Sequence, residues 1–374
     1  MSRFVGSGGA GLRDLNSRQV LTALHGQSET LTVSDLSGAV GLTRPTVETV
    51  LGELIAAGWV VEGAAERTPG RAGRRARRFR FNSGAGQLMG IDIGPHAITC
   101  LISDLVGAIV HSEEVSYEDH GDAETAWQTI RAVVDRALGA TNADRLLATT
   151  VGLPAIVGPG GAIGYSVVVP GWLRAGIPAL IATEFPSETT FFDNDVKLAT
   201  LAEAEWGALA GIEHAIFLLA GRQIGTGIVV NRHLARGAHG AAGEIGGLEH
   251  VDWALAPRHL RDAFDPAPPI EEIFLRAAQG DPVAAGAVAV FAHDIAEGVA
   301  AAALTIDPEV IVIAGEAALA GSAFIDPLRR ALSTLCLSTP RLEVSSLGPR
   351  AVALGALARS LDHVRSTVLE LPRS

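Results

Sequence analysis

The stretch Met89-Gly-Ile-Asp-Ile-Gly94, followed by Ala97-Ile-Thr-Cys-Leu-Ile-Ser-Asp104 and Gly107-Ala-Ile-Val110, decides the fold of the larger part of this chain. Its apolar runs are short, rich in β-branched residues and separated by glycine turns, so it predicts three successive strands. A helix over residues 123–138 and a buried strand over 148–152 are expected to follow.

A second copy of this pattern begins with Ala215-Ile-Phe-Leu-Leu-Ala220 and Gly225-Thr-Gly-Ile-Val-Val230 and returns through Leu234. Helical spacing over about 282–305 precedes the apolar run Val310-Ile-Val-Ile-Ala314, which predicts another buried strand. The two halves share a β-β-β-α-β-α order. The sequence therefore predicts two related α/β lobes with a cleft between them.

A smaller unit precedes the lobes and consists of three short amphipathic segments. Asn16 and Ser17 are expected to cap a first helix, and a second helix begins near residues 32–34. Gly41 supplies a tight turn, and Thr43 caps a third helix with a buried apolar stripe. A glycine turn between the second and third helices is typical of a helix-turn-helix, whose third helix enters the major groove.

The next segment predicts a hairpin rich in arginine. Residues 59–61 and 79–81 read as its strands, and the fourteen residues 67–80 carry seven arginines. An isolated basic run is usually a solvated face, but after a recognition helix it indicates a wing on the minor groove. The alternative for the exposed helix residues is that they only cap and solubilise the helix. The predicted DNA contacts are Thr43, Arg44 and Thr46 of the helix and Arg71, Arg74, Arg75, Arg77 and Arg78 of the wing.

The composition agrees with a DNA-binding head (residues 1–82) in front of a larger body (residues 83–374). The 374 residues suggest two or three folded units. Residues 1–82 hold 11 arginines and 7 acidic residues, whereas the remainder holds 18 basic and 34 acidic residues. Such asymmetry is expected when only the head approaches phosphates. Two distant cysteines, no signal-like start and a longest apolar run of nine residues (298–306) predict a cytoplasmic protein with no membrane segment.

Three motifs carry a resemblance to a known family: Gly90-Ile-Asp-Ile-Gly94, Phe192-Asp-Asn-Asp195 and Arg236-Gly-Ala-His-Gly-Ala-Ala-Gly-Glu-Ile-Gly246. On these motifs the chain resembles the ROK family, which groups repressors with sugar kinases, over about residues 10–360. The resemblance implies an α/β two-lobed, actin-like ATPase fold built as a ribonuclease-H-like duplication. It also implies an α+β winged helix-turn-helix domain in front, as in the repressor branch. The expected domains are 1–82, 83–212 and 213–374.

The resemblance also implies roles for particular residues. Asp195 matches the general base of kinase members, and Asn194 and Glu244 match residues that hydrogen-bond the sugar. A capping turn at residues 194–195 and a solvated charge at Glu244 are the alternative readings. His250 is a further candidate effector contact, although a lone histidine is more often structural.

Several positions depart from the kinase pattern. Gly221-Arg-Gln-Ile-Gly225 stands where kinases have a small-residue phosphate loop, and Glu316 puts a negative charge near the expected nucleotide site. Gly247 replaces the zinc-binding histidine, and no cysteine lies between Cys100 and Cys336. We therefore expect Asp195 to be a vestigial base, and we expect neither a metal nor another cofactor.

The sequence thus predicts a sequence-specific DNA-binding transcriptional regulator, a repressor that catalyses no reaction. Its sugar-kinase-like domain would sense a sugar or sugar phosphate, and a homodimer or homotetramer would bind a double-stranded operator. Two alternatives stay open: an ATP-dependent sugar kinase that retains a DNA-binding head, and a DNA-binding dimer that needs no ligand.

Overall fold

A computed structural model of the chain describes residues 10–25, 27, 29–63, 76–116, 122–141, 145–248 and 250–369. The head contains three helices and a three-stranded sheet in the order β1-β3-β2. Their bounds are α1 Ala10–His25, β1 Leu31–Thr32, α2 Val33–Val40, α3 Arg44–Ala56, β2 Val60–Gly63 and β3 Arg78–Phe81. This is the expected winged arrangement, with Val60 paired to Phe81 in the hairpin.

Local chemistry sets the ends of the head's helices. Thr32 and Asp35 form a reciprocal capping box at the start of α2. Gly41 adopts the left-handed conformation (φ 69°) that ends α2, and Thr43 caps α3 as predicted. The predicted start of the first helix is wrong. Ser17 lies buried inside α1, because it shares the inward face of Val20, Leu21 and Leu24 and cannot serve as a cap.

The first lobe is built on a sheet with the order β6-β5-β4-β7-β8. Strands β4 to β6 are antiparallel, and β7 and β8 run parallel to β4. The third strand, β6, starts at Ile109 and runs further than the predicted run ending at Val110. The elements are β4 Gln87–Ile93, β5 Ala97–Ser103, β6 Ile109–Ser116, α4 Ala123–Thr141, β7 Leu146–Leu153, α5 Pro170–Arg174, α6 Ile177–Glu184, β8 Thr190–Asn194 and α7 Asp195–Trp206.

The second lobe repeats this topology in the sheet order β11-β10-β9-β12-β13. Each sheet therefore has its third strand at one edge, its first in the centre and its fifth at the other edge, which confirms the predicted duplication. The elements are β9 Ala215–Leu219, β10 Gly225–Val230, β11 His233–Leu234, α8 Ala256–Asp262, α9 Ile270–Ala278, α10 Pro282–Ile306, β12 Val310–Ala314, α11 Ser322–Leu335, β13 Arg341–Val344 and α12 Ala351–Val364.

Helix α10 forms the centre of the second lobe's core. Its Phe291 packs against Phe274 of α9 and Phe324 of α11. Among the described helices, only α10 is long and apolar enough to cross a membrane, and 61% of its most apolar window is buried in the lobe. Length and composition of one largely buried helix are weak support for a membrane span, since core helices pass the same test.

The head and the first lobe share one hydrophobic core. Apolar side chains of the head, such as Trp59 and Phe79, belong to the same buried cluster as Leu88 and Leu101 of the lobe. The Arg145 guanidinium lies 5.4 Å from the ring centroid of Trp59. The head is therefore docked on the lobe by buried apolar surface.

Helix α12 joins the head to the lobes. Its Leu357, Leu361 and Val364 extend the core shared with the head. Its Gly355 crosses α7 so closely that a Cβ there would lie 1.8 Å from the carbonyl oxygen of Leu198. The helix thus returns from the second lobe to the first, while the expected boundary at residues 212/213 stays a prediction.

Candidate functional site

The turn between β8 and α7 carries two of the predicted effector residues. Asn194 is the N-cap of α7: its side-chain oxygen accepts the backbone N–H of Lys197 at 3.0 Å. Its amide nitrogen donates to the carbonyl oxygen of Ala155 at 3.2 Å. The capping role therefore falls to Asn194 and not to Asp195, and one amide N–H of Asn194 remains for a ligand.

Asp195 begins α7 and faces the cleft. The pKa of this carboxyl is raised to about 7, because burial and the charge of Glu244 outweigh the opposing effects of the Val196 N–H and Lys197. Burial, with Asp195 and Glu114 adding to it, also raises the pKa of Asp92 well above its ordinary range. Two carboxyls, Asp92 and Asp195, therefore share a poorly hydrated part of the cleft.

Lys197 is the chain's only lysine and lies fully buried behind this turn. Its ammonium nitrogen is 3.3 Å from an oxygen of Glu244, which is partly exposed. A buried ammonium needs a paired anion. The Glu244 carboxylate is thus held by an ion pair to a buried ammonium, while its side chain is 40% exposed.

The glycine-rich loop that ends at Glu244 touches both lobes through its backbone. At Gly240 (φ 78°) a Cβ would lie 2.1 Å from the carbonyl oxygen of Val157 in the first lobe. At Gly243 (φ 87°) it would lie 2.3 Å from the carbonyl oxygen of Thr226 in the second. Only glycine permits both the positive φ and the close approach, so the motif's glycines place Glu244 opposite Lys197.

A buried carboxylate ties this loop to β8 and to α12. Asp193 accepts hydrogen bonds from Arg236 of the loop at 2.6 Å and from Arg359 of α12 at 2.5 Å. The Arg359 guanidinium also lies 5.1 Å from the ring centroid of Phe191. We refer to Asp193, Arg236 and Arg359 as the arginine clamp, which connects the candidate site to the helix that packs against the head.

On the side of the cleft where kinases bind phosphate, a carboxylate occupies the loop. Glu316 accepts the backbone N–H of Arg222 at 3.3 Å, and the two side chains form an ion pair at 3.4 Å. A Cβ at Gly221 would lie 1.9 Å from the same carboxylate. The loop's N–H group and its arginine are thus directed at an anion that the chain itself supplies.

An open cavity of about 840 Å³ adjoins this loop. His96 of the first lobe and residues of the second lobe line it, among them Asp262, Arg222, Arg258 and Arg261. Asp262 pairs with Arg258, and Glu316 pairs with Arg222. Phe264 and Ile270 add apolar surface. A cavity that combines guanidinium groups with apolar walls suits an anionic organic molecule.

His250 is the remaining effector candidate. His250 is exposed, and no hydrogen bond or ion pair to it is found within the described part of the chain. Within the same residues, no group of three or more His, Cys, Asp or Glu side chains is placed to hold a metal. The zinc of the resembled family therefore has no fitting ligand set among the described residues.

The helix residues of the predicted DNA-binding face lie together at the start of α3. Thr43 and Arg44 are exposed, and the Thr43 and Thr46 hydroxyls are 2.8 Å apart. The two threonines therefore cap the helix and still lie on its exposed end.

The wing is described only in part. Arg77 forms a bidentate ion pair with Glu62, and Arg78 donates to the carbonyl oxygen of Thr30 at 2.8 Å. Arg80 is exposed on β3. The predicted contacts Arg71, Arg74 and Arg75 lie outside the described residues.

Residue patterns alone missed the buried groups that support the site: Asp92, Lys197 and the arginine clamp. Asp92 lies inside the quoted 90–94 motif, and the uniqueness of Lys197 was a signal in the composition. Arg359 had no local signal, because its partner Asp193 is 166 residues away.

Comparison with known proteins gives two family matches and several relatives. The ROK family model matches residues 88–256 and 263–362, and an IclR helix-turn-helix domain model matches residues 17–63. The xylose repressor of Caldicellulosiruptor bescii is 24% identical, covering 95% of this chain and 97% of the relative.

Many solved structures resemble this one, and two of them are compared with it. The first is a ROK family transcriptional regulator, a homolog of the E. coli MLC protein (TM-score 0.65, 19% identity), and covers 94% of this chain and 96% of its own. The second is a ROK family glucokinase from Streptomyces griseus with glucose and AMPPNP (TM-score 0.57, 20% identity), covering 74% and 100%. These matches confirm the two-lobed, actin-like fold. With more than half of its residues matched by the family model, the chain belongs to the ROK family.

Proposed function

We propose that this protein is a DNA-binding transcriptional repressor whose two-lobed body senses a sugar or sugar phosphate and catalyses no reaction. The observation that carries the proposal is α12, which packs against the head through Leu357 and Leu361 and reaches the candidate site through Arg359. The family matches and the relative's name, xylose repressor, support it. The cytoplasm, the expected domain boundaries and a homodimeric or homotetrameric state belong to the same proposal.

Binding of the effector would act through the angle between the lobes. Glu244 and Arg236 belong to the second lobe, whereas Asp195 and the docked head move with the first. A ligand that contacts both sides favours one interlobe angle, and the head follows because it shares the first lobe's core. The shift in DNA affinity is limited by the ligand's differential affinity for the two states.

The DNA-binding part of the proposal predicts a specific loss in Arg44→Ala. Arg44 is exposed at the first turn of α3, so its removal takes away a base or phosphate contact without disturbing the core. We expect affinity for the protein's own promoter region to fall about tenfold (~1–3 kcal/mol). If Arg44 meets a phosphate, the log–log salt slope also falls by about 1. Fluorescence anisotropy against promoter and random DNA measures both.

Arg341→Ala is the matched control, since Arg341 is exposed on β13 of the second lobe, away from the head. This variant should leave both the affinity for promoter DNA and the log–log salt slope unchanged. Equal affinity of the wild type for promoter and random DNA would contradict specific repression at that promoter.

The effector part predicts pH-dependent binding. A sugar hydroxyl donates a stronger hydrogen bond to the ionised Asp195 carboxylate than to the neutral carboxyl, and the pKa of this group is about 7. The ionised fraction rises about tenfold between pH 6 and pH 8, so affinity should rise by up to about the same factor. A thermal-shift screen of sugars, sugar phosphates and ATP identifies the ligand. Isothermal titration calorimetry then measures its affinity at each pH.

Asp195→Asn tests the assignment, because it keeps the shape of the side chain and does not titrate. It should bind more weakly at pH 8 and lose the pH dependence. A ligand whose binding is equally pH-dependent in this variant contacts a different titrating group. If no compound in the screen raises the thermal midpoint, the result would favour the ligand-independent dimer. In that alternative the body only holds two heads together.

The kinase alternative rests on Asp195 and on the fold of the glucokinase. Against it, the carboxylate of Glu316 lies on the Arg222 loop and would repel the phosphates of a nucleotide. Arg222 and Arg258 of the adjoining cavity already pair with Glu316 and Asp262, so Arg261 is the cavity guanidinium for which no ion pair is found within the described residues. A phosphate group of the effector would bind at Arg261.

A further inference from the structure

Helix α10 is the core helix of the second lobe, yet one line of its positions stays exposed. We call this line the α10 stripe: Val283, Gly286, Val290, His293, Glu297, Ala301 and Leu304. The steps of three and four residues place all seven on one side of the helix, the spacing of a helix–helix seam. Its apolar members Val283, Val290 and Leu304 are 53%, 50% and 54% exposed.

Gly286 lies near the start of the stripe, and a Cβ added there would meet nothing within 4 Å in the single chain. Glycine inside a helix is unfavourable by about 1 kcal/mol relative to alanine. Packing within the single chain therefore does not require glycine at this position. Small residues such as Gly286 and Ala301 allow a second helix to approach closely.

Two pairs of residues in the stripe match about its midpoint, which lies between His293 and Asp294. Val283 and Leu304 are equally far from it in sequence, and so are Gly286 and Ala301. A two-fold axis through this point, perpendicular to the helix, would place Val283 opposite Leu304, Gly286 opposite Ala301 and Val290 opposite Glu297 of a second copy. Such self-complementarity is what an isologous interface between identical chains requires.

The charges of the stripe select the antiparallel arrangement. In a parallel pair, Glu297 would face Glu297 of the second copy, and the two carboxylates would repel. In the antiparallel pair, Glu297 faces Val290 of the second copy and comes within one helical turn of its His293. Two equivalent glutamate–histidine contacts then form across the axis.

We propose that the α10 stripe is the two-fold interface through which a second copy of this chain binds, with the two α10 helices antiparallel. The inference rests on the dimer in the proposed function and adds its surface and orientation. An interface on the second lobe leaves both first lobes and their heads free to move. The spacing of the two heads then depends on the interlobe angle.

Sedimentation equilibrium of the full chain tests the surface with two variants of one exposed residue. Val290→Glu places a carboxylate opposite Glu297 of the second copy twice per dimer, so we expect dissociation to become at least about a hundredfold easier. Val290→Lys places an ammonium opposite the same carboxylate and should leave a dimer. Circular dichroism spectra that match the wild type, and a cooperative thermal transition, show that both variants fold.

A dimer that persists in Val290→Glu, or dissociates equally in both variants, would overturn the surface while leaving the proposed dimer intact. A wild-type chain that remains monomeric at all concentrations would overturn the dimer itself.

Oxidative cross-linking tests the orientation in a Cys336→Ser background, where the remaining native cysteine, Cys100, is buried. Because Gly286 faces Ala301 of the second copy, the double variant Gly286→Cys/Ala301→Cys should form a covalent dimer, and each single variant should not. Cross-linking by either single variant would indicate a parallel pair and overturn the antiparallel assignment. No cross-link in any variant would overturn the interface.

Discussion

Asp193→Ala is expected to destabilise the protein by about 3 kcal/mol, because it leaves two guanidinium groups beside each other without their shared anion. The Asp193 carboxylate also accepts the backbone N–H of Asn194 at 2.9 Å, and that N–H would lose its partner. We place the loss at the lower end for a broken buried pair, since Arg236 and Arg359 are 38% and 28% exposed and can regain water. Chemical denaturation measures it.

Asp326→Ala provides the comparison. Asp326 pairs with Arg329 at 2.7 Å on the exposed surface of α11, where an ion pair contributes within about 0.5 kcal/mol. Similar losses in the two variants would mean that the arginine clamp is no stronger than a surface pair. If the clamp transmits the effector signal, Asp193→Ala should also weaken effector-driven release of DNA in conditions where it remains folded.

Gly355→Ala is the second substitution with a large expected effect. The new Cβ would lie 1.8 Å from the carbonyl oxygen of Leu198, so α7 and α12 must separate. Such overpacking typically costs 1–3 kcal/mol, and a backbone obstacle puts the expected loss at about 3 kcal/mol. The gain in helix propensity, about 1 kcal/mol, does not offset it.

Gly139→Ala makes the same chemical change in α4, where a Cβ meets nothing within 4 Å. That variant should be more stable than the wild type by about 0.5–1 kcal/mol. If Gly355→Ala lowers the stability and Gly139→Ala raises it, as measured by denaturation midpoints, the α7–α12 contact requires glycine. A stabilised Gly355→Ala would contradict the close crossing of these helices.

Local patterns predicted most of the architecture. Short apolar runs bounded by glycine turns located β4 to β7 and β9 to β12, and Gly41 and Thr43 located the turn and the recognition helix. These features depend on neighbours in sequence, such as the Thr43–Thr46 cap. The start of α1 was misplaced because serine is a common cap, and only packing shows that Ser17 faces inward.

The supporting groups of the site could not be predicted in the same way. Arg359 contacts Asp193, and Gly355 contacts Leu198, across long separations that leave no periodic signal. Their chemistry becomes visible only when α12 is placed over the first lobe. The motif residues Asn194, Asp195 and Glu244 were identifiable by resemblance, whereas the lysine that anchors Glu244 was found only from the packing.

The core shared by the head and the first lobe bears on how such a protein diversifies. A recombination that joined a foreign head near residue 82 would place mismatched side chains against Leu88, Leu101 and Leu357. Domains that share a hydrophobic core are difficult to exchange between proteins, because each has been selected in the presence of the other. New operator preferences in this lineage are therefore expected to arise by substitution on the exposed surface of α3 and the wing, with head and body inherited together.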